Sequence, residues 1–399
     1  MNIVYFNYLY DLYGISIGST RKAELLMHEL EEVGNDVKIY WMKNQPQNKK
    51  PLKKGRQSWV RKLMSRYLHD PKQLMQNIAY FIKEYRIIKK DQPDLIISRL
   101  EHYLFSSLLL AKFKKIPIVI EADAPVVYEL REFAKQFWKI PILPELIEKL
   151  NLKNADKSVC VSNVAKHYFM QQGVPENKLL VISNGADIEK FHPQVDNSHV
   201  LDKYSLRGKT IIGFVGSFHY WHGVENILKV IGKLTEVNPD TAFLLVGEGG
   251  PMKAALEEFV KHKNLQTRVI LTGYVQHEAM PEYISAMNIV LAPYPNLPFF
   301  YYSPVKIYEY MAAGKPVVTT RIGQIAELIK DQHNGFLCEP DNIRQIIDTL
   351  LTLISNPQLR DSVGQHARET IVKEHTWREK AIQFSTVCDD VLQSKKNGK

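Results

Sequence analysis

The clearest indication of the fold lies in residues 303–319, which read Ser303-Pro-Val-Lys-Ile-Tyr-Glu-Tyr-Met-Ala-Ala-Gly-Lys-Pro-Val-Val-Thr319. Its first part predicts a helix, because Ser303 suits the N-cap, Pro304 suits the first helical position, and Gly314 followed by Pro316 ends a helix. The β-branched residues that follow predict a strand. A helix leading into a short buried strand is the repeating unit of a parallel α/β sheet.

The start of this helix also carries candidate functional residues. Free backbone amides around Pro304 and Val305, together with the positive end of the helix dipole, suit a phosphate group. Lys306 and Glu309 lie one turn apart on the same face, so an ammonium near a diphosphate would sit beside a carboxylate that binds ribose hydroxyls. The alternative is a solvated salt bridge between these two residues. The surrounding segment favours a sugar nucleotide.

Outward from this segment, strands and helices alternate along both halves of the chain. Short β-branched runs between helices predict parallel sheets covered on both faces. We therefore expect an α/β fold of two doubly wound, Rossmann-like domains with a cleft between them, at residues 1–190 and 205–375. The turn-rich stretch 185–210 is the candidate linker. We expect the C-terminal helix, 376–395, to pack back on the first domain.

Two further glycine-rich turns follow strands of the second half. One is the loop from Gly213 to Gly223, and the other runs from Gly247 to Pro251. Such turns let a backbone approach a phosphate closely, although tight turns are also ordinary in α/β folds. Together with the helix at 303, they are expected to meet at one rim of the sheet, where ligands of open α/β sheets bind.

Composition bounds the remaining possibilities. The chain has 399 residues, of which 45% are hydrophobic and 24% charged, as in ordinary globular proteins. No secretory leader or membrane-spanning run is recognisable, and the three cysteines lack metal-binding spacing, so we expect a cytoplasmic protein without a metal site. No G-x-G-x-x-G follows the first strand, which disfavours a dehydrogenase.

The net charge of +9 is concentrated in one segment. Nine Lys or Arg residues and no acid lie between Lys43 and His69. Within residues 49–67, apolar residues at helical spacing alternate with these cations, which predicts a basic amphipathic helix. It could bind an anionic membrane as a peripheral protein on its inner face, pack as a plain solvated helix, or bind another polyanion. No nucleic-acid-binding module accompanies it, so nucleic acid is not an expected partner.

The order of several short motifs adds a family resemblance. The chain resembles the family 4 glycosyltransferases of the GT-B fold, group 1 type, in a variant with Ser-Pro-x-Lys-x-x-Glu-Tyr. The resemblance spans nearly the whole chain and is carried by Asn184-Gly-Ala-Asp187, Val215-Gly216, His222-Gly223, Val246-Gly-Glu-Gly249, Thr272-Gly273, Ala292-Pro-Tyr294, Glu309 to Val318 and Asn334-Gly-Phe-Leu337.

This resemblance implies the donor site of a glycosyltransferase. Glu309 corresponds to the carboxylate that binds the donor ribose, and Lys306 is interpreted as a diphosphate ligand or sugar-side contact. Tyr301 replaces the first Glu of the family's paired motif, and Ser217 and His222 replace its usual Arg and Lys. The residues expected to bind the donor are Gly216, Ser217, His222, Gly247, Gly249, Thr272, Gly273, Ser303, Pro304, Val305, Lys306 and Glu309.

In the first domain, the resemblance places Asp123 where relatives often have a sugar-contacting His. A loop-capping Asp is the alternative. Gly14 and Gly18 fall in a loop that would face donor or acceptor, although a plain turn also explains them. With Lys306 and Glu309, Asp123 completes the set of candidate catalytic residues.

The resemblance further implies a retaining transfer from a nucleotide diphosphate sugar, expected to be a UDP-sugar, to a glycan or lipid-linked acceptor in polysaccharide biosynthesis. No metal cofactor and no dedicated base are expected, since the leaving phosphate takes the acceptor proton. Two alternatives stay open. The replacements at Tyr301, Ser217 and His222 fit a non-catalytic partner subunit, and a nucleotide-sugar epimerase would share the fold.

Overall fold

The computed structural model describes residues 1–9, 17–43, 69–133, 140 and 142–397. Its contacts divide the chain into two compact units, Met1–Ser183 with Trp377–Lys399, and Asn184–Thr376. Gly14 and the basic segment 49–67 lie outside the described residues.

The first unit is built on a parallel six-stranded sheet in the order β2-β1-β3-β4-β5-β6. Its four central strands are almost entirely buried, as expected where helices cover both faces, while the edge strands β2 and β6 are partly exposed. Its elements are β1 (Asn2–Asn7), α1 (Ile17–Glu32), β2 (Asp36–Trp41), α2 (His69–Asp91), β3 (Leu95–Arg99), α3 (Ser106–Lys114), β4 (Ile118–Ala122), α4 (Val126–Glu132), α5 (Ile142–Asn154), β5 (Lys157–Cys160), α6 (Asn163–Gln171) and β6 (Leu179–Val181).

The last helix, α15 (Trp377–Asn397), also belongs to the first unit and packs against α1. Its stripe from Trp377 to Val391 is buried, as the apolar spacing of its sequence indicates. Two polar contacts fasten it. Asn35 donates to Ser385 Oγ at 3.2 Å, and Lys395 Nζ lies 3.0 Å from the Asp156 carboxylate.

The second unit is built on another parallel six-stranded sheet, in the order β12-β11-β10-β7-β8-β9. The strand order reverses between β7 and β10. Its elements are α7 (Ser198–Lys203), β7 (Thr210–Val215), α8 (Val224–Val237), β8 (Thr241–Val246), α9 (Lys253–His262), β9 (Val269–Leu271), α10 (Met280–Ser285), β10 (Ile289–Ala292), α11 (Val305–Ala312), β11 (Val317–Thr320), α12 (Ile325–Leu328), β12 (Phe336–Cys338), α13 (Ile343–Ser355) and α14 (Pro357–Glu374).

Two parallel sheets flanked by helices confirm the predicted α/β fold class. The expectation of a linker at 185–210 differs from the structure, because this stretch is part of the second unit. Ala186, Phe191, Val200 and Leu206 are buried in that unit's core, so the turn residues here connect packed segments. No helix among the described residues is long and apolar enough to cross a bilayer.

Candidate functional site

The three turns after β7, β8 and β9 lie side by side at one end of the second sheet. Gly216 N donates to Val246 O at 2.9 Å, and Gly247 N donates to Gly273 O at 3.2 Å. A Cβ on Gly247 would lie 2.1 Å from Gly216 O, and φ at Gly247 is +150°. Only glycine therefore permits this approach. The structure brings together the glycine turns that the sequence predicted to converge.

The loop that follows Gly216 also reaches the strand on the other side of the reversal point. A Cβ on Gly223 would lie 1.9 Å from Pro293 O, directly after β10. Asn226 donates to the same carbonyl at 3.2 Å. The loop is therefore held at the carboxyl ends of the neighbouring strands β7 and β10, where the strand order reverses and where open α/β sheets bind ligands.

The start of α11 differs in one detail from the sequence prediction. Ser303 does not cap the helix, because Pro304 occupies the N-cap position and the helix begins at Val305. The Ser303 hydroxyl instead accepts a hydrogen bond from Asn184 N at 3.1 Å and pairs with the Tyr308 hydroxyl at 3.1 Å. Ser303 thus fastens the 184 segment to α11, while the first helical amides start at Val305.

Lys306 projects from the first turn of α11 toward the end of β7. Its Nζ donates to Val215 O at 3.1 Å and lies 4.4 Å from the centre of the Phe214 ring and 5.4 Å from that of Tyr294. Among the described residues, no carboxylate lies within ion-pair distance of this ammonium. Burial lowers the pKa of Lys306 from its ordinary 10.5 to about 7. Part of the residue is exposed, so an anion has access to it.

The loop residues that replace the family's usual cations are neutral. His222 Nδ1 donates to Ser217 O at 2.8 Å, which leaves Nε2 as the ring's acceptor. Burial, reinforced by the nearby Lys306 ammonium, lowers the pKa of His222 to about 3. Ser217 and His222 therefore bring no positive charge to this end of the sheet. The positive charge beside the loop comes from Lys306 of α11.

Glu309 lies one turn further along α11, buried to all but 8% of its surface. His277 Nε2 donates to its Oε1 at 3.1 Å. Lys306 and Glu309 form no ion pair with each other, because their side chains bind Val215 and His277 instead. The alternative of a solvated salt bridge between them does not hold.

The other predicted donor residues lie in the turns after β8 and β9. Gly249 O accepts from Phe218 N at 2.9 Å, which joins the second turn to the first loop. Thr272 Oγ1 donates to Gly273 O at 2.9 Å and shapes the third turn. Tyr301 is 1% exposed and packs against Phe299, so no carboxylate stands at the family's first Glu position.

Sequence reasoning missed two residues that hold the site in place. The Tyr310 hydroxyl accepts from Val215 N at 2.7 Å, so α11 binds both the amide and the carbonyl of the last residue of β7. His277 orients Glu309 from the segment after β9. Both contacts join positions far apart in the chain, and no local spacing reveals such pairs.

In the first unit, Asp123 belongs to a buried cluster of charges. Lys22 and Arg99 each donate to one of its oxygens, and Lys22 Nζ lies 3.0 Å from the Glu121 carboxylate. Burial alone would raise the pKa of Asp123, but the two cations lower it. The alternative of a loop-capping Asp is replaced by this ion-pair role, and its predicted contact with a sugar stays a prediction.

Gly18 lies in the first turn of α1, exposed, rather than in the loop that the sequence predicted. Gly14 lies outside the described residues. Within the described part of the chain, no group of three His, Cys, Asp or Glu side chains is placed to hold a metal ion.

Comparison with known families covers both halves of the chain. The "Glycosyl transferases group 1" family matches residues 201–370, and "Glycosyltransferase Family 4" matches residues 18–190. Together the two matches span most of the chain.

Individual relatives agree with these family matches. An uncharacterized glycosyltransferase of Methanocaldococcus jannaschii is 27% identical over 79% of this chain and 82% of its own length. The Escherichia coli UDP-Gal:alpha-D-GlcNAc-diphosphoundecaprenol alpha-1,3-galactosyltransferase is 21% identical over 75% of this chain and 76% of its own.

Solved structures show the same fold. Sucrose-phosphate synthase from Thermosynechococcus elongatus superposes with a TM-score of 0.73 at 18% identity, covering 99% of this chain and 100% of that one. Anabaena HepE in complex with UDP superposes with a TM-score of 0.72 at 16% identity, covering 98% and 100%. The chain belongs to the group 1, family 4 glycosyltransferases of the GT-B fold, and its chemistry is glycosyl transfer.

Proposed function

We propose that the chain takes a sugar from a UDP-sugar donor and transfers it, with retention at the anomeric carbon, to a glycan or lipid-linked acceptor in glycoconjugate biosynthesis. The observation that carries this proposal is Lys306. It is an ammonium at the reversal point of the sheet, packed on two aromatic rings, without a carboxylate within ion-pair distance among the described residues. A diphosphate supplies the missing negative charge.

Nearby polar atoms support a ligand at this position. The Tyr294 hydroxyl and His219 Nδ1 are buried without a hydrogen-bond partner in the described structure. Buried polar groups normally find partners, and unpaired ones are often completed by a bound molecule. Both residues flank the turns that approach Lys306.

Each residue then has a distinct role. Lys306 and the first amides of α11 bind the diphosphate, and Glu309, oriented by His277, accepts hydrogen bonds from the ribose hydroxyls. Relatives support uridine as the nucleoside, since Anabaena HepE is solved with UDP and with UDP-glucose. The Escherichia coli relative names a diphosphoundecaprenol acceptor, which supports a lipid-linked one here.

The proposed reaction needs no dedicated base. The acceptor oxygen forms a bond to the anomeric carbon as the bond to the β-phosphate oxygen breaks, and that phosphate takes the acceptor's proton on the same face. Stabilising the departing diphosphate is the main electrostatic requirement. Lys306 and the helix amides meet it, so the proposed reaction uses no metal cofactor.

Replacing Lys306 or Glu309 by Ala tests the proposal. Both variants should fold and lose transfer from the UDP-sugar that most stabilises the wild-type chain in a thermal screen. Lys229→Ala, which removes an exposed cation from α8, is the matched control. Unchanged turnover in either variant would show that the replaced residue does not bind the donor. UDP-sugar binding without hydrolysis or transfer by wild type would favour a non-catalytic subunit, and donor conversion without acceptor would favour an epimerase.

A further inference from the structure

Exposed apolar side chains are concentrated on three helices of the first unit. Of the fourteen exposed large hydrophobic residues in the described part of the chain, eight lie on α2, α3 and α5. Phe113 is 71% exposed and Ile142 is 69% exposed. We call these eight residues the apolar face: Met75, Ile78, Ile82, Leu109, Phe113, Ile142, Leu146 and Leu150.

The apolar face follows helical spacing on each helix. On α2 the spacing is three and four residues, and on α3 and α5 it is four. These spacings place the side chains of one helix in a single exposed row. Single exposed hydrophobic residues are common, whereas rows on neighbouring helices mark an interaction surface.

The three helices are neighbours. Asn77 of α2 donates to Tyr103 O at 2.8 Å and accepts from Ser106 N at 3.0 Å. Asn151 of α5 donates to Leu104 O at 2.6 Å. Two buried amides therefore hold the segment that begins α3 from both sides. The helices also connect β2 to β3, β3 to β4 and β4 to β5, successive steps toward one edge, so right-handed crossovers place them on one face of the sheet.

The fully exposed charges on the three helices that carry the apolar face are of one sign. The exposed charged residues of the three helices and the residue that ends α3 are all cations, namely Lys72, Arg86, Lys89, Lys90, Lys112, Lys114, Lys115 and Lys153.

Four of the five acids on the same helices are withdrawn from the surface, and the fifth, Glu145, is partly exposed and paired with Arg131. Asp70, Glu84 and Glu148 are buried, the Asp91 carboxylate binds Lys38 and Tyr40, and Glu145 lies 2.6 Å from Arg131. By contrast, α8 in the second unit exposes cations beside acids, such as Lys229 paired with Glu225 at 3.0 Å.

We propose that the apolar face and its cations are the surface by which the chain docks on an anionic lipid bilayer. The apolar side chains enter the boundary between headgroups and acyl chains, and the cations meet lipid phosphates. A second copy fits less well, because a two-fold contact would bring the same cations of both copies together. This proposal concerns a surface outside the donor site and does not depend on the reaction proposed above.

Co-sedimentation of the purified full chain with vesicles tests the proposal. We expect binding to phosphatidylglycerol–phosphatidylcholine vesicles, weakening with salt, and none to phosphatidylcholine alone. The double variant Ile78→Glu with Phe113→Glu should bind at least about tenfold more weakly. Each of the single variants Lys112→Glu and Lys115→Glu should lower the affinity for the anionic vesicles about fivefold or more, as about 1 kcal/mol per surface cation implies. Ile382→Glu, at an exposed apolar position of α15, is the matched control and should bind like wild type.

The same variants separate the other outcomes. All of them keep residues 49–67, so unchanged binding of the double variant would assign vesicle binding elsewhere and overturn the proposal. Absence of binding by wild type would do the same. If wild type is a dimer in sedimentation velocity and the double variant is a monomer, the apolar face is an interface between copies of the chain, and the membrane proposal is overturned. The melting temperature of each variant shows whether it is folded. If the double Glu variant does not fold, the double variant Ile78→Ser with Phe113→Ser takes its place.

Discussion

Removing the Lys306 ammonium should stabilise the free chain while abolishing nucleotide binding. In Lys306→Met the side-chain volume is nearly kept and the charge is lost. Burial lowers the pKa of Lys306 from 10.5 to about 7, so between these pH values the unfolded chain holds a proton that the folded chain lacks. The buried ammonium therefore lowers the free energy of unfolding by its full amount below about pH 7. This destabilisation decreases as the pH rises toward 10.5.

The size of the effect follows from that difference. At about 1.4 kcal/mol per pH unit, a pKa lowered from 10.5 to about 7 corresponds to at most about 5 kcal/mol. Because Lys306 is partly exposed, solvent screening reduces the expected gain to about 1–2 kcal/mol. For a domain of this size, the melting temperature of Lys306→Met at pH 7 should rise by about 2–8 °C.

Thermal melts with and without UDP measure both halves of the prediction. UDP should raise the melting temperature of wild type and leave that of Lys306→Met unchanged. Above pH 7, wild-type UDP affinity should fall by up to about tenfold per pH unit, since binding must first restore the Lys306 proton. Lys229→Met, which changes an exposed residue of α8, should behave like wild type. If Lys306→Met melts at a lower temperature than wild type, or still gains stability from UDP, Lys306 does not have the role described here.

Further substitutions test other parts of the account. Gly223→Ala should destabilise the chain by about 2 kcal/mol more than Gly208→Ala in urea unfolding, because both residues have φ +77° but only Gly223 meets a backbone carbonyl; equal losses would contradict this. Burial raises the pKa of Glu148 to about 8, so folding stability should fall as pH rises from about 4.5 to 8, and Glu148→Gln should gain stability over wild type at pH 9 but not at pH 5. His277→Ala should raise the donor KM by up to about tenfold with little change in kcat or melting temperature, since it removes the hydrogen bond that orients Glu309; an unchanged KM would remove that role.

Much of the fold could be predicted from the sequence because it depends on local patterns. Short β-branched runs between helices predicted the two parallel sheets that the structure shows. The glycines at strand ends predicted turns, which the structure places side by side. Local chemistry was less reliable where a distant segment competes for the same group. Ser303 has the hydroxyl of an N-cap, yet Asn184 and Tyr308 bind it instead.

The site was harder to predict because its contacts join remote segments. Asp123 resembles an exposed loop residue in sequence, but Lys22 and Arg99 come from α1 and the end of β3 to surround it. His277 meets Glu309 across 32 positions of sequence. The stretch 185–210 looked like a linker because turn residues are frequent there, although its few apolar side chains are buried in the second core.

A crystal structure of the chain with UDP would show whether Lys306 binds the diphosphate and Glu309 the ribose. We predict a diphosphate oxygen at about 3 Å from Lys306 Nζ, with the ribose hydroxyls donating to the Glu309 carboxylate. UDP bound elsewhere, with Lys306 still donating only to Val215 O and Glu309 held only by His277, would contradict the account.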